Sequence, residues 1–458
     1  MGTQEKVGIT ILNKRSGAQL KCASYIPQDG PCFRPLCGYP VEKGLEALTE
    51  YYGSRTADLE GIPSFAGKHP LQPLAKQNDR PNQSLGIAQV EGRSAFRQFI
   101  RLPWSLYGDD PMWVPPLLIE RHQHLSPRNP YFAHAQYCSW LAYRGLRPVG
   151  RISAQVDELH IQRHRDATGF FGMIEAEDDA TTFQALTDTA EQWLRGKGMR
   201  RILGPLNLSL NQECGLLVEG FDTPPSIMMG HARRYYGPRI EEQGYRKEKD
   251  LLAYLVNTEF DWPPLIKKIA AKATQGVRLR PLCMSRLTED LETLQRIFND
   301  AWSKNWGFIP FTRAEFQHMG QDIKHLVDKE FVQIAEVNGD PAGMIVVLPN
   351  INEVIRDLNG RLFPFGWMKL LWRLKARYPT SGRVPLMGVR RRYQESLLGP
   401  ALAFMLIDAV RAPAARRGIR EVEMSWILED NMRMRNIIES IGGKVYKRYR
   451  IYGKELHE

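Results

Sequence analysis

Two stretches of this chain carry the same series of secondary-structure signals, and that internal repetition narrows its possible folds more than any other feature. In the first stretch, Tyr137–Tyr143 and Val149–Val156 alternate apolar and polar residues around Gly145, which predicts a hairpin. Gly169–Glu175 reads as a buried strand. Thr181–Gly198 reads as a helix with Phe183, Leu186, Ala190, Trp193 and Leu194 on one face. Ile202–Pro205 is a further strand, and Leu251–Val256 is expected to close the unit. A short helix at Phe96–Pro103, stopped by its proline, precedes them. In the second stretch Leu287–Ala301 is helical, and Phe331–Val337 and Ala342–Leu348 are strands across the turn Asn338–Pro341. Pro385–Val389 is a strand. Gly399–Arg417 is a helix whose Leu402, Met405, Leu406, Ala409 and Val410 share a face. Glu421–Leu428 is a strand, Met434, Ile437, Ile438 and Ile441 mark a helix, and Val445–Tyr452 alternates again.

Helices interleaved with strands in this order pack on a mixed sheet. The expected fold class is therefore α/β with a mixed (α+β) sheet, built twice in tandem. The expected boundaries are an N-terminal extension at 1–91, a first unit at 92–256 and a second at 277–458, with a linker carrying Pro263 and Pro264 between the units. The extension is rich in proline, glycine and polar residues and reads as partly disordered. It holds one candidate strand, Val7–Leu12, and one candidate helix near Val41–Tyr52.

Composition excludes several classes. No stretch approaches the roughly 18 apolar residues of a membrane-spanning helix, and the N-terminus leads into no apolar secretory segment. The expected compartment is the cytoplasm. The six cysteines form no C-x-x-C pair and meet no histidine cluster, so no metal site is expected. The net charge is +11, and residues 361–392 hold nine Lys or Arg and no Asp or Glu. Such a segment attracts anions. No nucleic-acid-binding motif accompanies it, so nucleic acid is not the expected partner.

The chemistry-bearing stretch is Gly388–Leu402, a strand end, three arginines, a turn and a helix start, with Gln394, Ser396, Leu398 and Gly399 in the turn. It resembles the Arg/Gln-x-x-Gly-x-Gly/Ala loop of the GNAT acyltransferase superfamily, which holds the CoA pyrophosphate on backbone N–H groups at a helix N-terminus. Gln394 matches the first position and Gly399 the last, while Leu397 replaces the middle glycine, a loss that Arg390, Arg391 and Arg392 can offset by charge. The resemblance implies acyl-CoA as substrate, touched by Val389, Arg391, Arg392, Gln394, Ser396, Leu398 and Gly399. It continues through Glu423–Asn431, similar to the superfamily's splayed strand. The usual catalytic tyrosine position is Ile438 here, which leaves Tyr446, Tyr449 and Tyr452 as candidate acids. The catalytic set expected is Glu353 or Glu429 as base, ranked above Glu423, together with Asn431 and Tyr449.

The first unit has no such loop. Its run from Gly204 to Pro225 interleaves Asn207, Ser209, Asn211 and Glu213 with apolar residues, as a cleft lining does. Across residues 94–458 the chain resembles bacterial tandem GNAT-like acyltransferases, a group that includes ceramide synthases, through Arg101–Trp104, Asp110–Pro116, Gly169–Gly172, Ser425–Asn431 and Tyr446–Tyr452. The resemblance implies N-acylation of an amine or lipid acceptor by acyl-CoA, with a sphingoid base as one possible acceptor. Alternatives are a generic N-acetyltransferase for small amines, an aminoacyl-tRNA-dependent transferase, or a non-catalytic acyl-CoA or lipid binder. Within Gly360–Tyr378, Trp367, Leu370, Leu371 and Leu374 share a helical face beside Lys369, Arg373, Lys375 and Arg377. That pattern fits a helix lying on an anionic membrane surface, here the inner face.

Overall fold

The computed structural model describes residues 84–457 apart from 265–266, 269–275 and 325–326. The candidate strand at 7–12, the candidate helix near 41–52 and three of the six cysteines lie outside the described residues. The first repeat runs β1 Leu85–Gln89, α1 Gly92–Leu106, α2 Leu118–His124, β2 Ala135–Arg144, β3 Arg147–Asp157, α3 Glu158–His164, β4 Thr168–Ala176, α4 Ala180–Gly196, β5 Arg201–Gly204, β6 Leu206–Asn207, β7 Glu213–Cys214, β8 Leu216–Glu219, α5 Tyr236–Glu242 and β9 Arg246–Asn257. The second runs β10 Val277–Pro281, α6 Leu287–Ala301, α7 Arg313–Ile323, β11 Val332–Val337, β12 Asp340–Pro349, α8 Asn352–Ile355, α9 Gly366–Ala376, β13 Ser381–Val389, α10 Arg391–Gln394, α11 Leu398–Arg416, β14 Glu421–Leu428, α12 Met432–Ser440 and β15 Lys444–Glu455. The architecture is the expected α/β class with a mixed sheet.

The two repeats share one sheet, ordered β1-β2-β3-β4-β5-β15-β9-β14-β13-β12-β11-β10. That order reads alike from either end, and it contains an exchange. β9, the last strand of the first repeat, was expected to close its own unit, but it pairs antiparallel with β14, placing Tyr254 opposite Met424. β15, the last strand of the second repeat, pairs antiparallel with β5, placing Tyr452 opposite Gly204. The two exchanged strands pair with each other at the centre. Alternation explains how β9 serves both halves. Leu252, Tyr254 and Val256 enter the core beneath α11, while Leu251 and Ala253 enter the core of the first repeat.

Two local expectations are corrected. The strand β1 lies inside the segment read as an extension and pairs with β2. The helix at Pro103 does not stop there: α1 continues to Leu106. Proline removes the bond that its N–H would give to the carbonyl four residues back, at Phe99. Here Arg151 donates to that carbonyl instead, at 2.6 Å. Among the described residues one helix, α11, is long and apolar enough by length and composition to cross a membrane. Ala401, Leu402, Leu406 and Val410 of α11 are core residues packed on the sheet.

In each repeat two neighbouring strands run parallel for a few residues and then part. Thr168–Phe170 of β4 pairs with Arg201–Leu203 of β5. Ser381–Val384 of β13 pairs with Glu421–Met424 of β14. Beyond those registers the strands splay into a V. The repeats also meet through His134, whose Nδ1 lies 3.1 Å from Asp157. Its Nε2 lies 3.3 Å from Glu315 on α7, close enough for an ion pair though not aligned as a hydrogen bond.

Candidate active site

The V of the second repeat leaves one strand edge and one helix start open. From Pro385 to Val389 the edge of β13 facing β14 is unpaired, while its other edge stays bonded to β12. The chain then turns through Arg390 and α10 into α11. No side chain caps the start of α11, and the backbone N–H groups of Leu397 and Leu398 have no partner. A helix start with free N–H groups favours an anion. The leucine in place of the middle glycine does not fill this cradle, because its side chain is 78% exposed.

The other loop residues divide by task. Gln394 shapes the turn, donating to the carbonyls of Val389 at 2.6 Å and Ala301 at 3.3 Å. Ser396 donates to Tyr393 and remains exposed. Val389 and Leu398 pack into the core beneath. Gly399 is a packing glycine: a Cβ there would stand 2.7 Å from the carbonyl of Tyr393. Arg390 lies between Asp300 and Asp340, and Arg392 pairs with Asp340. The backbone N–H of Arg391 donates to Asp300, but its guanidinium is exposed and has no protein partner. Of the three arginines, Arg391 keeps its charge available.

The V of the first repeat is closed by its own chain. A Cβ on Gly172 of β4 would meet the carbonyl of Leu206 at 2.0 Å, so β6 sits directly against the splayed strand. Asn207 accepts the N–H of Met173, and Gln155 donates to the carbonyls of Leu206 and Leu208. The loop after β4 carries Glu177, Asp178 and Asp179 where the second repeat carries three arginines. Asp179 caps α4 by accepting the N–H of Thr182. Three carboxylates at that position repel a pyrophosphate. The run from Gly204 therefore divides in two. Its first half plugs the V, and Phe221 and Asp222 line a cavity of about 910 Å³ with Leu106, Met112, His231 and Tyr235.

On the face of the second V opposite α11, a buried polar cluster joins the two repeats. The register sets Arg383 of β13 beside Glu423 of β14, and Ser425 follows two residues on, on the same face. Arg383, Glu423, Ser425, Lys447 and Tyr449 are all buried. Arg383 donates to Ser425 Oγ at 2.8 Å, lies 3.6 Å from Glu423, and donates to the carbonyl of Ile227 at 3.1 Å. Ser425 donates to one oxygen of Glu423 at 2.5 Å, and the half-buried Tyr446 donates to the other. Lys447 donates to the carbonyls of Gly220 and Thr223 at 2.6 and 2.7 Å. Burial lowers the Lys447 ammonium to about 8, against the opposing pull of Glu423 and Asp222. Burial, and then the Glu423 charge, raise Tyr446 and Tyr449 well above the usual phenol range. Tyr446 is thus held protonated on a carboxylate and remains the part of the cluster that solvent reaches.

The structure distributes the residues expected from the sequence. Tyr449 lies in this cluster, donating to the carbonyl of Gly230 at 3.3 Å. The expected bases do not. Glu353 sits where β13 begins, at the opposite end of that strand from the phosphate turn. It accepts the backbone N–H groups of Thr380 and Ser381 at 2.8 and 2.9 Å and bonds both hydroxyls, so its carboxylate clamps a strand start. Glu429 is held by Lys247 at 2.6 Å and by the N–H of Asp250 at 3.1 Å. Asn431 caps α12, accepting the N–H of Met434. Ile438, at the usual tyrosine position, is wholly buried apolar core. The sequence ranks Glu423 below Glu353 and Glu429 and points to none of Arg383, Ser425 and Lys447, which the fold gathers around it. Their signal was present: each is polar at a strand position whose alternation demands burial. Among the described residues no group of His, Cys, Asp or Glu is arranged to hold a metal ion.

No protein-family profile matches the chain. Protein YghO of Escherichia coli (strain K12) is 50% identical over 365 residues, covering 80% of this chain and 94% of its own length. The bacterial ceramide synthase of Caulobacter vibrioides (strain NA1000 / CB15N) is 47% identical over 381 residues, covering 82% of this chain and 99% of its own. Among solved structures, a tandem GNAT protein from the clavulanic acid biosynthesis pathway aligns over 82% of this chain and 99% of its own, at 12% identity and a TM-score of 0.49, too weak a likeness to rest a conclusion on. Identity near one half, extending over nearly the whole of each relative, is decisive: the chain belongs to the family of N-acyltransferases that includes bacterial ceramide synthase.

Proposed function

We propose that this acyltransferase joins a long-chain acyl group, carried as its CoA thioester, to the amino group of a sphingoid base. The observation that carries the reading is the 47% identity to bacterial ceramide synthase across 99% of that protein. The CoA pyrophosphate is assigned to the free N–H groups of Leu397 and Leu398 and to the Arg391 guanidinium. The pantetheine amides are assigned to the unpaired edge of β13 between Pro385 and Val389. We assign the acceptor to the 910 Å³ cavity, whose wall at Phe221 and Asp222 is bracketed by the two carbonyls that Lys447 holds.

The cluster then supplies proton transfer. A neutral amine attacks the thioester carbonyl, so that an N–C bond forms and the C–S bond breaks. The proton lost by nitrogen passes through the Tyr446 hydroxyl to Glu423, and the same pair returns it to the departing thiolate. Arg383 and Ser425 fix the Glu423 carboxylate from its other side. Positioned proton transfer of this kind is worth about 10²–10⁴ in rate.

The test combines substrate and residue. Purified protein given sphinganine should consume palmitoyl-CoA far faster than acetyl-CoA and form the amide, because each buried methylene contributes about 0.8 kcal/mol. Tyr446→Phe should lower kcat by about 10² or more with little change in KM. Turnover confined to acetyl-CoA or to small polar amines would remove the sphingoid reading. A fully active Tyr446→Phe would remove the relay.

A further inference from the structure

Ten large apolar side chains are exposed among the described residues, and five of them fall within one stretch of ten: Phe363, Phe365, Trp367, Met368 and Trp372. They are between 38% and 72% exposed. Scattered apolar residues on a surface need no account, but a contiguous aromatic patch does. The patch is the loop before α9 and the outer side of α9 itself. The inner side is occupied. Leu370 and Leu374 pack on Val114, Val354, Ile355 and Leu358. Arg373 donates to the carbonyl of Val354 at 2.6 Å and pairs with Asp357, as does Lys369. Of the face read from the sequence as membrane-facing, Leu370 and Leu374 point inward, while Trp367 is exposed together with Met368, Trp372 and the two preceding phenylalanines.

Charge decides what this face meets. Between Arg361 and Tyr378 there are five basic residues and no acidic one. Arg377 stacks over Trp372 at 6.0 Å, and Lys375 is exposed with no partner. Protein interfaces are depleted in lysine. Tryptophan and phenylalanine flanked by lysine and arginine instead match the boundary between lipid headgroups and acyl chains, where rings enter and cations meet phosphates. At 11 residues α9 is too short to span a bilayer.

We propose that Phe363–Trp372 is a membrane-docking wedge: the aromatic and methionine side chains enter the headgroup region of an anionic bilayer, and Lys375 and Arg377 engage lipid phosphates. The wedge lies on the side of the sheet that carries α6, α7 and the buried polar cluster, since Ile351 packs with both the α6 core and the α9 contacts. The docking requires no turnover, so it stands or falls independently of the acceptor's identity.

Full-length protein should float with vesicles of equal parts phosphatidylglycerol and phosphatidylcholine, and remain below vesicles of phosphatidylcholine alone at moderate salt. Binding should weaken steeply as salt rises, since screening acts within about 10 Å at 0.1 M. The triple variant Phe365→Ser, Met368→Ser, Trp372→Ser changes only exposed side chains, so its melting curve should match the parent. Its partition to anionic vesicles should fall about tenfold or more. Lys375→Gln with Arg377→Gln should flatten the salt dependence. Wild-type protein that never floats with anionic vesicles overturns the proposal. So does a wild-type dimer, seen by light scattering, that the triple variant converts to monomer, because the face would then be a self-association surface.

Discussion

On the proposed function, Arg391 is the residue on which CoA binding at the turn into α11 most directly depends. Gly399 is unsuitable for a charge test, because any side chain there strikes Tyr393 before it meets a ligand. Arg391 is exposed and its guanidinium bonds to no protein group, so its substitution is felt by the ligand alone. Arg391→Glu should weaken CoA binding about tenfold or more at low salt, with the difference shrinking as salt is added. Calorimetry at two ionic strengths reads both effects, and equal affinity at low salt would show that the pyrophosphate lies elsewhere.

A second residue, His134, carries a pH dependence between the repeats. Burial alone would lower its pKa, but the carboxylates of Asp157 and Glu315 outweigh it and hold the imidazole up to about 10. The unfolded chain releases that proton near 6.5. The folded form therefore binds more protons between those values. The stabilisation is fully present below about 6.5 and is lost as pH rises toward about 10. Melting curves from pH 6 to 10 should show His134→Gln far less stable than the parent at the acidic end and converging on it at the alkaline end. A constant difference would mean that His134 acts by shape and not by charge.

At the scale of elements, much of the fold was legible because periodicity is a local property. The helices at α4, α6 and α11 and the hairpin of β2 and β3 follow from where Leu186, Leu294, Leu402 and Trp140 recur. What escaped the sequence was set by register and by partners far along the chain. Pro103 reads as a helix stop unless Arg151 is known to take over the abandoned carbonyl. Glu353 reads as a strand-end base until Thr380 and Ser381 are seen to fill its oxygens. Arg383 becomes a candidate site residue only when β13 and β14 align it with Glu423. The strand β9 is apolar on both faces, and such a strand states that it is central without stating in which half.

At the scale of the whole molecule, the exchange of β9 and β15 makes the two repeats one cooperative unit. The core beneath α11 contains Leu252, Tyr254 and Val256 from the first repeat, and the core of the first repeat contains Tyr449, Ile451 and Tyr452 from the second. Thermal unfolding of residues 84–458 should follow a single transition, with calorimetric and van't Hoff enthalpies in agreement. Two resolved transitions would mean that the halves melt independently despite the shared strands. For the same reason, either repeat produced alone should fail to give a sharp melt, because each lacks a central strand.

The exchange also bears on how such a chain can change over generations. A duplicated gene segment ordinarily leaves one copy at liberty to decay, since the other retains the activity. Here the copy that has acidic residues where its twin has three arginines, and whose cleft is stoppered by its own chain, still lends its last strand to the second copy and borrows one in return. Deleting it would unmake the copy that remains. The hydrogen bonds that bind the first repeat to its twin make it scaffolding for both halves, and substitutions that spare β9, the segment from Gly220 to Gly230 and the lining of the proposed acceptor cavity are the ones it can accumulate without unmaking the fold.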